Sequence, residues 1–421
     1  MNCHDSAQGQ EYKIARVAKP FGKQYISRTR TASVIEVALR IVILGNIACE
    51  PYPGTAWQAM HYALGLRRLG HESYYMETSS SWPYDPIRAS RVRDSRYALP
   101  YLAKVAEYFG LAGHWAYRRS YADKAWFGMD RTSAEQLLAE ADLVLSITGS
   151  TRLAEEGLKV GRLVCVSTDP VMHEVLFVNN DSAIRSLIEE HDDVVTFGEN
   201  IGTPSCPLPP LPRLRARTRQ PVVLDMWDAG LPTKDQYTTI GNWKQCGRDT
   251  EYGGEIYYWS KHREYLKFID LPHRISQPLG LATNFFQLCR EDRILLESNC
   301  WRLTDANRFT LCSYRDYVCA SRGEFTVAKD ANVRLRTGWF SDRSACYLAA
   351  GRPVITQNTG FATVLPTGEG LFAFDTTDDI LAAFEALQSD YERHSRAARA
   401  IAETYFKAET VLSKLLADLG F

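Results

Sequence analysis

Residues 338–361 read GWFSDRSACYLAAGRPVITQNTGF, which joins a loop, a helix, a tight turn and a buried strand. Ser341 and Asp342 are residue types that accept hydrogen bonds from the first backbone N–H groups of a helix. Gly351 and Pro353 end that helix, and the apolar residues that follow predict a strand. A helix that leads into a buried strand is the repeating unit of a doubly wound sheet, so this stretch predicts an α/β fold.

A second unit of the same kind opens the ordered part of the chain. The apolar run at 39–46 ends in Gly-Asn and predicts a buried parallel strand. Residues 56–69 place Trp57 and later apolar residues at helical spacing, Gly70 stops the helix, and residues 72–76 predict the next strand. Such a βαβ unit in each half predicts two parallel sheets with helices on their faces.

A proline-rich and then basic segment separates the two halves. Proline stiffens and extends a chain, so this segment suits an interdomain linker. The parts that we expect are an N-terminal flexible extension at 1–37, an N-terminal α/β domain at 38–202, a linker at 203–220, a C-terminal α/β domain at 221–395, and a C-terminal helix at 396–421 that packs back on the N-terminal domain. The patterns further predict helices at 97–121, 255–268 and 315–321, and strands at 143–147, 162–166, 194–197, 222–226 and 238–243.

Composition and charge restrict the class of protein. The 421 residues include 45% hydrophobic and 24% charged side chains, which excludes a disordered chain. The net charge is −1, without the basic surplus that most duplex-binding proteins carry, so nucleic acid is disfavoured as a partner.

The ten cysteines form no C-x-x-C pair, which argues against a zinc site and favours reduced thiols in the cytoplasm. Residues 1–32 lack the apolar core of a secretory signal, and no apolar run is long enough for a membrane span.

Two short motifs resemble those of the GT-B glycosyltransferases. Residues 348–355, LAAGRPVI, resemble the helix end A-x-A-x-G-x-P-V-I of the donor-binding region in that superfamily. Residues 53–55, PGT, and residues 66–72, LRRLGHE, look like its opening loop and its L-x-x-x-G-H-x-V helix end. The resemblance covers most of residues 39–419. It implies two Rossmann-like doubly wound domains that face a cleft, and transfer of a sugar from a nucleoside-diphosphate sugar to a small-molecule or glycan acceptor.

The resemblance also assigns residues to the sugar donor. In the superfamily the helix start holds the diphosphate, and the loop after the next strand approaches the sugar. Free N–H groups and the helix dipole attract anions at such a helix start. The residues of this chain at those places are Ser341, Asp342, Arg343 and Ser344 for the diphosphate, and Asn358, Thr359 and Gly360 for the sugar.

Further donor contacts follow from polar residues in predicted loops. Asn242 and Trp243 would cradle the base or ribose, unless they form a turn and a core tryptophan. Arg322 or Lys329 would meet phosphate, unless they lie in a solvated charged turn. Glu369, in a glycine-rich loop, would accept hydrogen bonds from ribose or sugar hydroxyls.

An inverting sugar transfer requires a base that takes the proton of the acceptor, and His, Asp or Glu at the cleft are the usual choices. In a doubly wound sheet the cleft lies at the carboxyl ends of the strands. Asp169, His173 and Glu50 all follow predicted strands of the first half. Asp169 is the first choice because it stands directly at a strand end, although a turn aspartate and a structural histidine remain alternatives.

The subclass and some of the roles stay open. Many retaining GT-B members carry a Glu-x7-Glu pair, and alignment on Gly351 puts Cys346 and Gly338 at those positions. A nucleotide-sugar epimerase or hydrolase of the same fold, and a non-catalytic nucleotide-sugar-binding protein, are therefore alternatives. The aromatic residues at 82–84 and 115–127 either line an acceptor pocket or pack in the core. We expect no metal and no cofactor besides the nucleotide-sugar donor, and a homodimer stays open.

Overall fold

Two sheets organise the residues that the computed structural model describes, which are 38–78, 81–149 and 151–421. The expected extension at 1–37 lies outside them. The strands of the first half are β1 (Arg40–Leu44), β2 (Glu72–Glu77), β3 (Tyr84–Asp85), β4 (Ser90–Arg91), β5 (Trp115–Arg118), β6 (Trp126–Gly128), β7 (Leu143–Ile147), β8 (Leu163–Ser167), β9 (Asp193–Thr196) and β10 (Leu214–Arg217). In these residues the first sheet runs β10-β9-β8-β7-β1-β2-β5-β6, and β3 and β4 form a separate hairpin.

The first sheet is parallel except where β6 pairs antiparallel with β5. The helices of the first half are α1 (Pro53–Arg68), α2 (Ala98–Tyr108), α3 (Arg131–Glu140), α4 (Met172–Val178) and α5 (Ser182–Glu190). Residues of β7 and β8 are buried throughout, because helices cover both faces of a parallel sheet. The continuous apolar run of β7 in the sequence follows from that burial.

The second sheet is entirely parallel in the described residues and runs β15-β14-β11-β16-β17-β18. The strands of the second half are β11 (Tyr237–Ile240), β12 (Thr250–Tyr252), β13 (Glu255–Tyr257), β14 (Leu279–Thr283), β15 (Arg302–Asp305), β16 (Gly323–Thr326), β17 (Val354–Gln357) and β18 (Leu371–Phe374). The helices are α6 (His262–Leu266), α7 (Arg290–Ser298), α8 (Leu311–Ala320), α9 (Asp330–Arg334), α10 (Asp342–Ala349), α11 (Thr377–Ser389), α12 (Tyr391–Tyr405) and α13 (Ala408–Leu419).

The end of the chain returns from the second sheet to the first. Helix α13 packs on α1 at Gly65, where an added Cβ would lie 2.5 Å from Leu412 Cδ1 and 2.9 Å from Ala408 Cβ. Next to this contact, the amide of Val222 donates to the Phe406 carbonyl over 2.7 Å. Gly65 therefore lets the two helices approach closely, and the C-terminal helix binds the two halves together.

A second junction between the halves is centred on Asn200. Its amide donates to the Thr337 carbonyl over 2.9 Å. Its side-chain Nδ2 donates to the carbonyls of Arg336 and Gly360, each over 3.1 Å. Gly360 has a φ of +90°, and a Cβ there would lie 2.7 Å from Asn200 Nδ2, so glycine is required for the close approach.

The structure differs from the sequence expectations in three segments. The strand expected at 222–226 is a short 3-10 helix at Leu224–Trp227. The Trp227 indole fits there because its Nε1 donates to His61 Nε2 over 3.1 Å. The helix expected at 255–268 is instead the strand β13 followed by the short helix α6. The helix expected at 97–121 is shorter, since α2 ends at Tyr108 and the strand β5 occupies part of the remaining segment. Part of the expected linker is the edge strand β10. In each case tertiary contacts outweigh the local pattern.

Replacing Gly65 with Ala tests the α1–α13 contact. Alanine normally stabilises a helix interior by about 1 kcal/mol relative to glycine. Here we expect Gly65→Ala to lower the urea midpoint, because overpacking of this kind costs about 1–3 kcal/mol. Gly54→Ala on the same helix is the control, since its Cβ would meet Tyr314 at an ordinary 3.5 Å. A midpoint that rises in Gly65→Ala would contradict the close contact.

Candidate functional site

The carboxyl ends of both sheets border one cavity of about 390 Å³. We call it the α10 cavity, because the start of helix α10 forms one wall with Asp342 and Arg343. The other residues that line it are Tyr52, Pro53, Gly54, Thr55, Asp169, Ile240, Gly241, Asn242, Asn284, Ala306, Asn307, Phe309 and Tyr314. Loops after strands meet the N-termini of two helices here, which is where α/β folds bind ligands.

A second cavity, of about 420 Å³, lies on the other side of Asp169. We call it the β8 cavity, because the end of β8 and the loop after it form its centre. The residues that line it are Asn46, Cys49, Glu50, Ser81, Arg91, Thr148, Ser167, Thr168, Asp169, Met172, His173, Arg248 and Trp259. Asp169 lines both cavities, so its carboxylate stands where two bound molecules would meet.

Asp169 forms an ion pair with Lys329, which joins the loop after β8 to the loop after β16. The second carboxylate oxygen of Asp169 is buried and has no hydrogen-bond partner in the described residues. The Lys329 ammonium lies 3.1 Å from the centroid of the Trp259 ring. Burial lowers the pKa of Lys329 to about 8, and the charge of Asp169 opposes that effect. The sequence analysis named Asp169 as a candidate base and Lys329 as a candidate phosphate contact, and the structure brings these two side chains together in one ion pair.

The backbone on both sides of the β8 cavity is strained. Val171, which starts the turn into α4, has a φ of +95°, and Thr148 has a φ of +65°. A β-branched residue rarely adopts such a φ, and strain of this kind is kept where a site requires it. The buried Glu174 carboxylate holds the turn by accepting the Val171 N–H over 2.8 Å. Asp169 is therefore fixed by a rigid loop.

Arg343 lines the α10 cavity, but most of its guanidinium is bound by the protein. Its Nε donates to Glu324 Oε1 over 2.5 Å and its Nη2 to Thr326 Oγ1 over 3.1 Å. Its Nη1 donates to the Ile240 carbonyl. Glu324 is fully buried, so Arg343 is also the counter-ion of a carboxylate that solvent does not reach. Arg343 thus stabilises the strand ends and presents one edge to the cavity.

Lys261 is a cation that the sequence patterns did not single out. Burial, followed by the charges of Arg343 and Lys329, lowers its pKa to about 7. Its ammonium lies 5.5 Å from the Trp339 ring, and the described residues provide it with no ion pair. Lys261 directly precedes the short helix α6, whereas the sequence pattern placed it inside a longer helix, so no local signal marked it. Without an ion pair, Lys261 is a candidate partner for an anion.

The other residues at the start of α10 have different surroundings. Asp342 lines the cavity, and burial raises the pKa of its carboxyl group. Ser341 is the residue before the helix and is buried, although its side chain makes no capping hydrogen bond. Ser344 is completely buried, and its Oγ has no partner in the described residues. Backbone N–H groups in the first turn of a helix attract anions, so this helix start stays a candidate for the diphosphate.

The loop after β17 is held by the protein. Asn358 Nδ2 donates to Asp375 over 3.0 Å, and Thr359 Oγ1 donates to the Trp339 carbonyl over 2.5 Å. Both side chains are buried, and Gly360 lies against Asn200. These three residues shape the loop, and neither cavity wall includes them.

Three predicted donor contacts need correction. Trp243 is 2% exposed and packs in the core, with its ring centroid 5.7 Å from that of Tyr265. Arg322 precedes β16 and therefore lies at the opposite end of the sheet, where it stacks on Tyr391. Glu369 precedes β18 and forms an exposed ion pair instead. Arg322 and Glu369 both lie at the amino ends of strands, whereas the cleft lies at the carboxyl ends, so neither residue borders it. Asn242, in contrast, lines the α10 cavity.

The other two catalytic candidates border the β8 cavity. Glu50 forms an ion pair with Arg91, so its carboxylate is already bound. His173 has an Nδ1 that is buried without a partner in the described residues, and burial lowers the pKa of its imidazole. The neutral ring can donate or accept a hydrogen bond at physiological pH.

Glu77 positions the loop that forms one wall of this cavity, and the sequence analysis missed it. Its buried carboxylate accepts the backbone N–H groups of Ala48 and Cys49, each over 2.7 Å, and the Tyr75 hydroxyl over 2.9 Å. Burial raises the pKa of Glu77 to about 7. An acidic residue at the end of an otherwise buried strand was the signal in the sequence.

Two features are absent from the described residues. None of their helices combines the length and apolar character needed to cross a bilayer. No cluster of three His, Cys, Asp or Glu side chains among them could hold a metal ion. The nine cysteines that the structure describes are free thiols.

Comparisons with known proteins find similarity at the level of fold. No family model matches the sequence, and no curated protein matches it. A solved alpha-glucosyltransferase in complex with UDP-glucose and DNA containing an abasic site is similar over 90% of this chain and 99% of its own, with a TM-score of 0.57 and 10% identity. An alpha-glucosyltransferase in complex with UDP covers the same shares at a TM-score of 0.52 and 11% identity. The likeness confirms the fold that the motifs implied, and the protein has the GT-B fold.

Proposed function

We propose that this protein is a glycosyltransferase that moves a sugar from a nucleoside-diphosphate sugar to an acceptor. The observation that carries the proposal is the position of Asp169 on the wall shared by two cavities. One cavity has a helix N-terminus and the cation Arg343 on its wall, which are groups that bind a diphosphate. The other is polar and separate, as a second substrate requires. Two solved alpha-glucosyltransferases with the same fold contain UDP-glucose or UDP, which makes UDP-glucose the first donor to test.

The donor would bind in the α10 cavity. Its diphosphate would lie against the N-terminus of α10, with Lys261 and one edge of Arg343 beside it. During transfer the bond from the sugar C1 to the diphosphate oxygen breaks, and negative charge grows on the leaving group. Fixed N–H groups and cations stabilise that charge without reorganisation, which is where such a site gains rate.

The acceptor would bind in the β8 cavity. Its hydroxyl oxygen forms the new bond to C1, and its proton passes to the free carboxylate oxygen of Asp169. The ion pair with Lys329 orients Asp169 for that task. His173 is the second candidate for the same proton, because its ring is neutral and borders the same cavity.

The second cavity also separates this proposal from its alternatives. A hydrolase or epimerase of this fold needs only the donor and water, so a built cavity of about 420 Å³ beyond Asp169 would have no use. A protein that only binds the donor would have no use for the second cavity either. The cavity therefore favours a transferase with an acceptor of its own.

The finer expectations from the sequence remain part of the proposal. We propose that transfer needs no metal, since helix dipole and cations can stabilise the diphosphate. The free thiols suit a reducing cytoplasm. The chain's net charge of −1 disfavours nucleic acid, but one solved structure of the same fold contains DNA, so DNA belongs among the acceptors to be tested.

Lys261→Met tests the donor site. UDP-glucose should raise the melting temperature of the wild-type protein, also in EDTA, because it binds only the folded state. The variant should lose about 1.5–3 kcal/mol of donor binding, the worth of a hydrogen bond to a charged group. Its melting temperature without ligand should not fall, since an unpaired charge is removed. Lys104→Met, at an exposed position on α2, is the control. Arg343→Ala is less informative, because it leaves Glu324 buried without its cation.

An equal shift in Lys261→Met and wild type would contradict the role of Lys261. No shift with UDP-, GDP-, ADP- or dTDP-glucose in the wild type would contradict the donor site itself.

Donor affinity should also depend on pH. Lys261 has a pKa of about 7, and an adjacent diphosphate favours its protonated form. Affinity for UDP-glucose should therefore be constant at lower pH and fall above pH 7, by up to about tenfold per pH unit. Titration calorimetry between pH 6 and 8 measures this slope, and Lys261→Met should abolish it. Affinity that rises with pH would rule out the assignment.

Asp169→Asn separates chemistry from binding. The amide cannot take a proton, so UDP release from UDP-glucose should fall by about 10²- to 10⁴-fold. The thermal shift with UDP-glucose should remain. Asp130→Asn is the control, because Asp130 caps α3 by accepting the Ser133 amide and asparagine caps equally well. Unchanged turnover in Asp169→Asn would move the role of base to His173.

A further inference from the structure

The wall of the β8 cavity contains three buried polar atoms without hydrogen-bond partners in the described residues. They are Ser167 Oγ, the free Asp169 oxygen and His173 Nδ1. Ser167 is only 1% exposed, so its hydroxyl cannot be satisfied by bulk water. A buried polar group without a partner costs about 1–3 kcal/mol, and native proteins rarely keep one without reason. Three on one cavity wall indicate a ligand that completes them.

These atoms come from adjacent parts of the chain. Ser167 ends β8, Asp169 follows two residues later, and His173 lies in the first turn of α4. The strained Val171 between them fixes how α4 leaves the strand. The three groups are therefore held by rigid elements, which is what a specific binding site needs.

The charges around the cavity are largely neutralised in pairs. Asp169 pairs with Lys329, and Glu50 pairs with Arg91. Arg248 is exposed, with its guanidinium 5.6 Å from the Trp259 ring. Four of these five charges are paired, and the remaining one, Arg248, is exposed to water. Since the two ion pairs carry no net charge, the interior of the cavity favours a neutral ligand.

The unpaired groups also restrict the ligand's hydrogen bonding. The Asp169 oxygen only accepts, Ser167 donates and accepts, and the neutral His173 ring does either. A hydroxyl group does both, so several hydroxyls on one molecule can satisfy all three atoms. A flat apolar molecule would leave them unpaired and lose affinity. The volume of about 420 Å³ lies in the range of small-molecule sites.

We infer that the acceptor of this protein is an uncharged, hydroxyl-rich small molecule, a free sugar or a polyol. It binds in the β8 cavity with its reactive hydroxyl on Asp169 and further hydroxyls on Ser167 and His173. The inference rests on the proposed glycosyl transfer. In that step the acceptor oxygen bonds to C1, the diphosphate leaves with the bonding electrons, and the hydroxyl proton moves to Asp169.

The test compares acceptor classes at a fixed donor concentration. UDP release from UDP-glucose is measured with D-glucose, D-mannose, myo-inositol or glycerol, and separately with 4-methylumbelliferone, glucose 6-phosphate or a double-stranded oligonucleotide. We expect at least one neutral sugar or polyol to raise the rate about tenfold or more above that in water, and the other three to have no such effect. Acceleration only by the phenol, the phosphorylated sugar or the oligonucleotide would overturn the inference.

Ser167→Ala shows whether the effect comes from this cavity. It should raise the KM for the active sugar about tenfold, the cost of one lost hydrogen bond, with little change in kcat or in the UDP-glucose thermal shift. Ser298→Ala, at an exposed position on α7, is the control. An unchanged KM in Ser167→Ala would overturn the placement.

A measurement without donor separates failure of this inference from failure of the proposed function. Saturation-transfer NMR of the same neutral sugars and polyols with the protein alone should show binding that Ser167→Ala weakens. Such binding without any UDP-sugar thermal shift would contradict the transferase and leave the sugar site standing. A UDP-glucose shift without binding or acceleration by any neutral polyol would leave the donor site standing and refute the acceptor class.

Discussion

The geometry of the cleft depends on the ion pair between Asp169 and Lys329. Asp169 follows β8 in the first sheet and Lys329 follows β16 in the second, so the pair connects the two sheets at their carboxyl ends. The Lys329 side chain is buried while that of Asp169 is about one-third exposed, so removal of Asp169 would leave a buried ammonium group without its counter-ion. The ring of Trp259 fixes the lysine further. The pair therefore ties together the loops of the two sheets at the residue that both cavities share.

Neutral contacts hold the same junction on either side. The Trp339 indole donates to the Thr168 carbonyl over 3.0 Å, directly before Asp169. Two residues after it, Val171 keeps its unusual φ because Glu174 accepts its N–H. A carboxylate between two fixed backbone points has little freedom to turn, and a base must be oriented before it can contribute to rate. The strain at Val171 is thus consistent with Asp169 as the group that meets the substrates.

Local patterns in the sequence predicted the fold, because the βαβ units at both ends are defined by apolar spacing and turn residues. They also identified Asp169 and Lys329, but their pairing joins positions 160 residues apart and no local pattern contains it. Lys261 was missed for a related reason, since its importance comes from the charges around it. Trp243 was misplaced because a tryptophan beside a strand end packs in a core or lines a site, and only the packing of α6 decides which.

If the proposed donor site is right, proton uptake would let this cleft hold a diphosphate without a fixed surplus of cations. Cys346, where many retaining members carry a carboxylate, is buried beside His61, so the cleft gains no charge there. Near the α10 cavity, Lys261 and Asp342 have no ion pair in the described residues, and burial moves both pKa values toward neutral pH. A bound diphosphate would favour the protonated form of Lys261. Donor binding above pH 7 would then draw a proton from solution and offset part of the charge that the diphosphate brings into a low-dielectric cleft.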